Sequence, residues 1–189
     1  MNTYQGISGK IRKVLDVQNT KTLVHGFISS RLDYCNALLF ELPHCLLQRL
    51  QYVQNAAARL IAQKRKYDHV TQIRKALHWL PIKHRIDFKV LVHAYKAQHN
   101  LSPAYLSELI TPYRSPRRSP CDEYWLVEFW TNTKHYGDRD FQNAVPKLWN
   151  ELPMYIRQCE SLAQFKRHFK TYLLKRHICN ILMSRQDFM

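Results

Sequence analysis

Only four glycines occur in 189 residues, and that scarcity limits the fold more than any other single feature. Tight β-turns rely on glycine for backbone conformations with positive φ, so a sheet-rich chain built from this sequence would lack the residues that close its hairpins. Hydrophobic residues make up 46% of the chain and aromatic residues 12%, which is a globular and not a disordered composition. A chain of this length buries roughly two-thirds of its unfolded surface and needs no covalent staples. The expected class is mainly α: a helical bundle of about five to seven helices, with a Pro/Arg-rich linker and room for one short β-hairpin.

The hydrophobic period places the elements. A first helix is expected from about Asn19 or Thr20, either able to cap it, to about Leu39. Pro43 suits the first turn of a second helix, with Leu46, Leu50, Val53, Ala57 and Leu60 as its apolar stripe. The run Lys64-Arg65-Lys66 closes that helix, where cations complement the macrodipole. A shorter helix near Thr71–Leu77 leads to a corner anchored by Trp79, and Pro81 starts the next helix. That helix, Ile82 to His99, is apolar nearly all round between Phe88 and Tyr95, which predicts a central, buried element. Ser102-Pro103 then opens a short helix to about Ile110.

Residues 111–121 carry three prolines and three arginines among serines and read as an exposed linker or arm. The β-prone run YWLVEFW (124–130) is expected to form a strand, pairing near Lys134–Tyr136. Helix returns around Asp140–Glu151, with Pro146 expected to end or kink it. Ser161 and Gln164 form a capping box for a last helix bearing Leu162, Phe165, Phe169, Tyr172 and Leu173 on one face. The chain therefore divides into a helical region (1–110), a basic Pro/Ser-rich linker with a short strand (111–135) and a C-terminal helical region (136–189).

The formal net charge is +15, which favours polyanionic partners because each neutralised phosphate releases condensed counterions. Three basic clusters are candidate phosphate contacts: Lys64, Arg65 and Lys66; Arg114, Arg117 and Arg118; and Lys166, Arg167 and Lys170. Tyr113, Tyr124 and Trp125 adjoin the arm and could stack on unpaired bases. For each cluster the bland alternative is a solvated face or a favourable helix end. Nothing in the sequence reads bases, so binding is expected to be backbone-directed and salt-sensitive.

Catalytic chemistry is not expected. Two-metal polymerases hold carboxylates together, whereas the nearest pair here, Asp138 and Asp140, reads as capping residues of the following helix. The ten histidines form no HExxH pair and the five cysteines no CxxC pair. No metal site, cofactor or disulfide framework is therefore expected, and Cys35 and Cys45 are expected to pack as small hydrophobes in a reducing compartment. No apolar run reaches about 18 residues, and the N-terminus lacks a signal core. An intracellular protein, cytoplasmic or nuclear and not secreted, is the expectation.

Five blocks follow in fixed order: SRLDYCNALL (30–39), RLQYVQNAAARLI (49–61), LHWLP (77–81), YGDRDF (136–141) and PKLWNELP (146–153). Together they resemble the stretch after the polymerase core in reverse transcriptases of non-LTR, LINE-type retrotransposons of the jockey superfamily. The resemblance runs from about Ile11 to about His177. It implies that the first region is a helical thumb, which grips the template–primer duplex, and that Y-x-D-D polymerase chemistry lies upstream. It also implies a truncated copy or a mis-drawn gene, not a complete enzyme, since the palm and endonuclease have no counterpart here. The partner implied is RNA or RNA–DNA duplex without sequence preference, with the parent palm domain as a second. The alternatives are a helical protein-interaction module and an expressed transposon relic without function.

Overall fold

The computed structural model describes residues 16–113, 124–129, 137 and 140–186, the side chains up to residue 176. The architecture is mainly helical, as expected. In order come α1 (Val17–Val24), a π-helical turn (His25–Ser29), α2 (Ser30–Asp33), a 3-10 turn (Asn36–Leu39) and α3 (His44–Ile61). They are followed by α4 (Val70–Ala76), α5 (Ile82–Gln98), α6 (Ala104–Glu108), α7 (Phe141–Asn150), α8 (Met154–Arg157) and α9 (Leu162–Gln186). The single β feature among the described residues is an isolated antiparallel bridge between Pro112 and Leu126. YWLVEFW thus pairs, where it is described, with Thr111–Tyr113. The pairing expected near Lys134–Tyr136 falls on residues outside the described set.

By backbone contact the chain forms two compact units, divided after Lys83, with Ala37–Glu41 grouped with the second. The partition at 110 and 135 followed composition, so the two divisions measure different things.

In the N-terminal unit, the first helix starts earlier than expected. Asp16 is the cap, its Oδ2 accepting Gln18 N–H at 3.3 Å. The helix also stops earlier, because Tyr34 is extended (ψ 120°) and Cys35 has φ 50°. Asn36, buried, then donates to Asp33 Oδ1 at 3.5 Å. Both Cys35 and Cys45 are exposed, against the expectation that they pack inside.

On α3 the stripe read from the sequence holds at Ala57, which is buried, and at Leu60, which packs against the core, but not at its N-terminal positions. Leu46 and Val53 are exposed, whereas Gln54, Ala57, Ala58 and Ile61 are buried. Val24, Ala57 and Ile61 form the core cluster, with Ile28, Leu60, Leu77 and Trp79 packed against it. Fully buried Gln54 donates from Nε2 to the Leu80 carbonyl at 2.8 Å. Gln51 donates to Gln54 Oε1 at 2.8 Å and accepts Ile82 N–H at 3.0 Å, capping an orphan donor of α5. The LHWLP corner is thus fastened by side-chain amides as well as by Trp79.

Scarce glycine leaves a visible mark at the helix ends. Gln63, His78 and Asn100, with φ of 52°, 53° and 54°, occupy left-handed positions that favour glycine. Lys64 N–H returns to Arg59 O, Trp79 N–H to Arg74 O and Leu101 N–H to Lys96 O, the closing bonds of Schellman motifs.

The C-terminal unit is organised by rings. As expected, α5 is buried on most sides, with Val90, Leu91, Val92, Ala94, Tyr95 and Ala97 all inside. Tyr95 stacks on Phe165 at 4.6 Å, Phe88 on Phe169 at 5.6 Å and Trp149 on Phe165 at 5.8 Å between centroids. Tyr95 Oη–H donates to the Cys159 carbonyl at 2.8 Å. Helix α7 does not end at Pro146 but runs through it to Asn150. Burial of Ala144, Val145, Pro146 and Trp149 holds both halves in place and outweighs the one missing hydrogen bond. Ser161 caps α9 through Gln164 N–H at 3.2 Å, as its sequence predicts.

Candidate nucleic-acid interface

Lys64, Arg65 and Lys66 lie in the turn after α3, all exposed. The Asp68 carboxylate accepts Arg65 N–H at 2.7 Å, and Asp68 N–H returns to the Arg65 carbonyl at 3.2 Å. Arg59 Nε–H meanwhile reaches the Asp68 carbonyl at 3.0 Å. Lys66 Nζ stands over the Tyr67 ring, 5.5 Å from its centre. This is a tied turn with its own carboxylate, placed where cations stabilise a helix C-terminus. Helix ending is a sufficient reason for this cluster.

Lys166, Arg167 and Lys170 are placed differently. They sit on α9, whose buried ridge is Phe165, Phe169 and Leu173. The period of 3.6 residues per turn brings the three cations together on the exposed side. They lie in the N-terminal half of a 25-residue helix, where the macrodipole offers a cation nothing. Six of its residues are Lys or Arg (166, 167, 170, 175, 176 and 185), and none is Asp or Glu. Arg176 pairs with Glu151, the residue after α7, at 3.4 Å. Like charges at i, i+3 and i, i+4 cost a helix a few tenths of a kcal/mol per pair, so helix stability does not explain the cluster.

Arg114, Arg117 and Arg118 fall outside the described residues. Of the aromatic candidates, Trp125 and Tyr113 are partly exposed, at 39% and 43%. The Arg157 guanidinium lies over the Trp125 ring, its carbon 4.9 Å from the centroid. Sequence reasoning missed the clamp that holds this segment. Asn150 Oδ1 accepts Leu126 N–H at 3.1 Å, and Asn150 Nδ2 donates to the Leu126 carbonyl at 3.0 Å and to Glu128 Oε1 at 2.8 Å. Trp149 Nε1–H donates to the Tyr124 carbonyl at 2.9 Å. The clue in the sequence is the WN pair of PKLWNELP, two side chains whose polar atoms need partners when buried.

Asp140 stands at the N-cap of α7, and its carbonyl accepts Asn143 and Ala144 N–H at 3.0 and 2.8 Å; Asp138 is outside the described residues. Among the described residues no cluster of three His, Cys, Asp or Glu is placed to hold a metal ion. No described helix is long and apolar enough to cross a membrane. The Arg74 guanidinium of α4 is buried, and burial holds it below its ordinary pKa. No protein-family model, curated protein or solved structure matches the chain.

Proposed function

We propose that the chain is a non-catalytic segment of a non-LTR retrotransposon reverse transcriptase that binds RNA or RNA–DNA duplex through backbone phosphates. The observation that carries this reading is the acid-free face of α9, where Lys166, Arg167 and Lys170 gather without any benefit to the helix. The net charge of +15 and the order of the five sequence blocks support it. Lys64, Arg65 and Lys66 contribute to the field but are accounted for by their helix end.

The test is a salt titration of binding to an RNA–DNA duplex. Wild-type protein should bind at low salt and weaken steeply as salt rises. The triple variant K166Q/R167Q/K170Q should lower the log–log salt slope by about 2 to 3, one contact per residue, without changing the fold. No binding at low salt, binding indifferent to salt, or an unchanged slope in the triple variant would each reject the reading.

One observation favours a second reading, a helical protein-interaction module whose natural contact is the parent palm. Phe27 in the π-helical turn is 73% exposed and Val53 on α3 47%, with Leu23 of α1 and Leu46 of α3 also exposed, and large apolar side chains left in water mark interaction surfaces. A monomer that stays monodisperse and binds no hydrophobic dye would argue against it.

A further inference from the structure

Trp125 is half-exposed, yet everything around it is fixed. The Tyr124 carbonyl before it accepts Trp149 Nε1–H at 2.9 Å and Arg157 Nη1–H at 3.5 Å. Its own carbonyl accepts Tyr113 N–H at 2.8 Å. Leu126 after it is buried and held at both N–H and C=O by Asn150. Arg157 covers one face of the indole, a cation–π contact that pins the ring.

The bridge between Pro112 and Leu126 sets Tyr113 directly opposite Trp125. Residues so paired stand on one face of the ladder, with Cβ atoms roughly 5 Å apart. Buried Leu126 points the other way, as strand alternation requires. Two partly exposed aromatic rings therefore share one face of a locked backbone. The Trp125 ring, held on one face by Arg157, loses little entropy when a ligand covers the other.

Charge selects the occupant. The chain carries +15, and the Arg157 guanidinium already lies against the indole. Among polyanions, nucleic acids are the ones that also offer planar faces for stacking. A duplex hides its base faces inside the stack, so only unpaired nucleotides can lie on exposed aromatic rings. We infer that Tyr113 and Trp125 form a stacking platform for unpaired bases of single-stranded RNA or DNA. This deepens the phosphate-binding reading and rests on it for the charge complementarity.

The experiment measures binding of the full chain to a short single-stranded RNA and to a blunt RNA–DNA duplex, by fluorescence anisotropy. Tyr113→Leu and Trp125→Leu should each weaken single-strand binding about ten-fold or more, while duplex affinity stays within about two-fold. Trp125→Phe, which keeps a ring, should retain most of the single-strand affinity. Circular dichroism establishes that each variant is folded, and Tyr113→Leu decides the matter if Trp125→Leu is not. Unchanged single-strand affinity in the folded variants, or an equal loss on both ligands, overturns the platform. Wild-type protein that binds duplex but not single strands overturns the platform alone. Wild-type protein that binds neither overturns this inference and the phosphate-binding reading together.

Discussion

The N-terminal unit is held by thin aliphatic contacts and buried amides, whereas the C-terminal unit is held by rings. In the first, Val24, Ala57 and Ile61 make the core cluster, and Gln51 and Gln54 supply the fastening. In the second, Tyr95, Trp149, Phe165 and Phe169 are nearly or fully buried and in mutual contact. Rings bury large areas and tolerate small shifts in geometry. Amides hold only while every partner stays within hydrogen-bond reach, and a buried amide that loses its partner costs more than the bond supplied. The first unit should therefore fail abruptly on polar substitutions and the second on large-to-small ones.

The largest effect should come from Trp149→Ala. It removes the ring that packs on Phe165 and the donor to Tyr124, at about 3–5 kcal/mol. The thermal transition monitored by near-ultraviolet circular dichroism should fall sharply or disappear. Next is Gln54→Ala, which strands the Leu80 carbonyl in a buried setting at about 1–3 kcal/mol. Amide exchange should accelerate in α3 and α4 and stay slow in α9; equal acceleration in both units would erase the distinction. A smaller effect of opposite sign is expected at His78, whose φ of 53° suits glycine. His78→Gly should stabilise by about 0.5–1 kcal/mol, seen as a raised urea midpoint. A lowered midpoint would mean that the imidazole itself is needed at the corner.

The smallest effect is a matter of pH in the second unit. Burial, and then the charges of Lys96 and Lys89, hold the His93 imidazole below its ordinary pKa. The unfolded chain then binds the proton more readily than the folded one. Stability from this group is complete above the unfolded value of about 6.5 and erodes as pH falls toward the lowered folded value. His93→Gln should flatten the unfolding midpoint across that window, and an unchanged acid limb would exclude His93 as its source.

How much of this could be read from sequence differs along the chain for physical reasons. Helix α5 was legible because its stretch from Phe88 to Tyr95 is apolar nearly all round, so little choice of face was needed there. The Ser161 cap was legible because capping is local. On α3 the expected stripe was right at Ala57 and wrong at Leu46 and Val53, while Gln54, Ala58 and Ile61 beside it are buried, and only contacts distant in sequence decide this. The burial of Gln54 was illegible for the same reason, since its partner lies 26 residues away. The break at Tyr34 and Cys35 carries neither glycine nor proline to mark it. Of the candidate site, the basic residues of α9 were found, but composition alone did not separate them from Lys64, Arg65 and Lys66. Their positions relative to the two helix ends made that separation.

Asn150 has a consequence for how copies of this protein behave toward one another. A short extended segment bonded on one side only is a template on which a second chain can add a strand. At Trp125–Val127 that template is closed. Thr111 and Tyr113 occupy one backbone edge, and a single carboxamide takes the Leu126 donor and acceptor on the other. One asparagine thus stands where a neighbouring strand would be and closes Trp125–Val127 to strand addition.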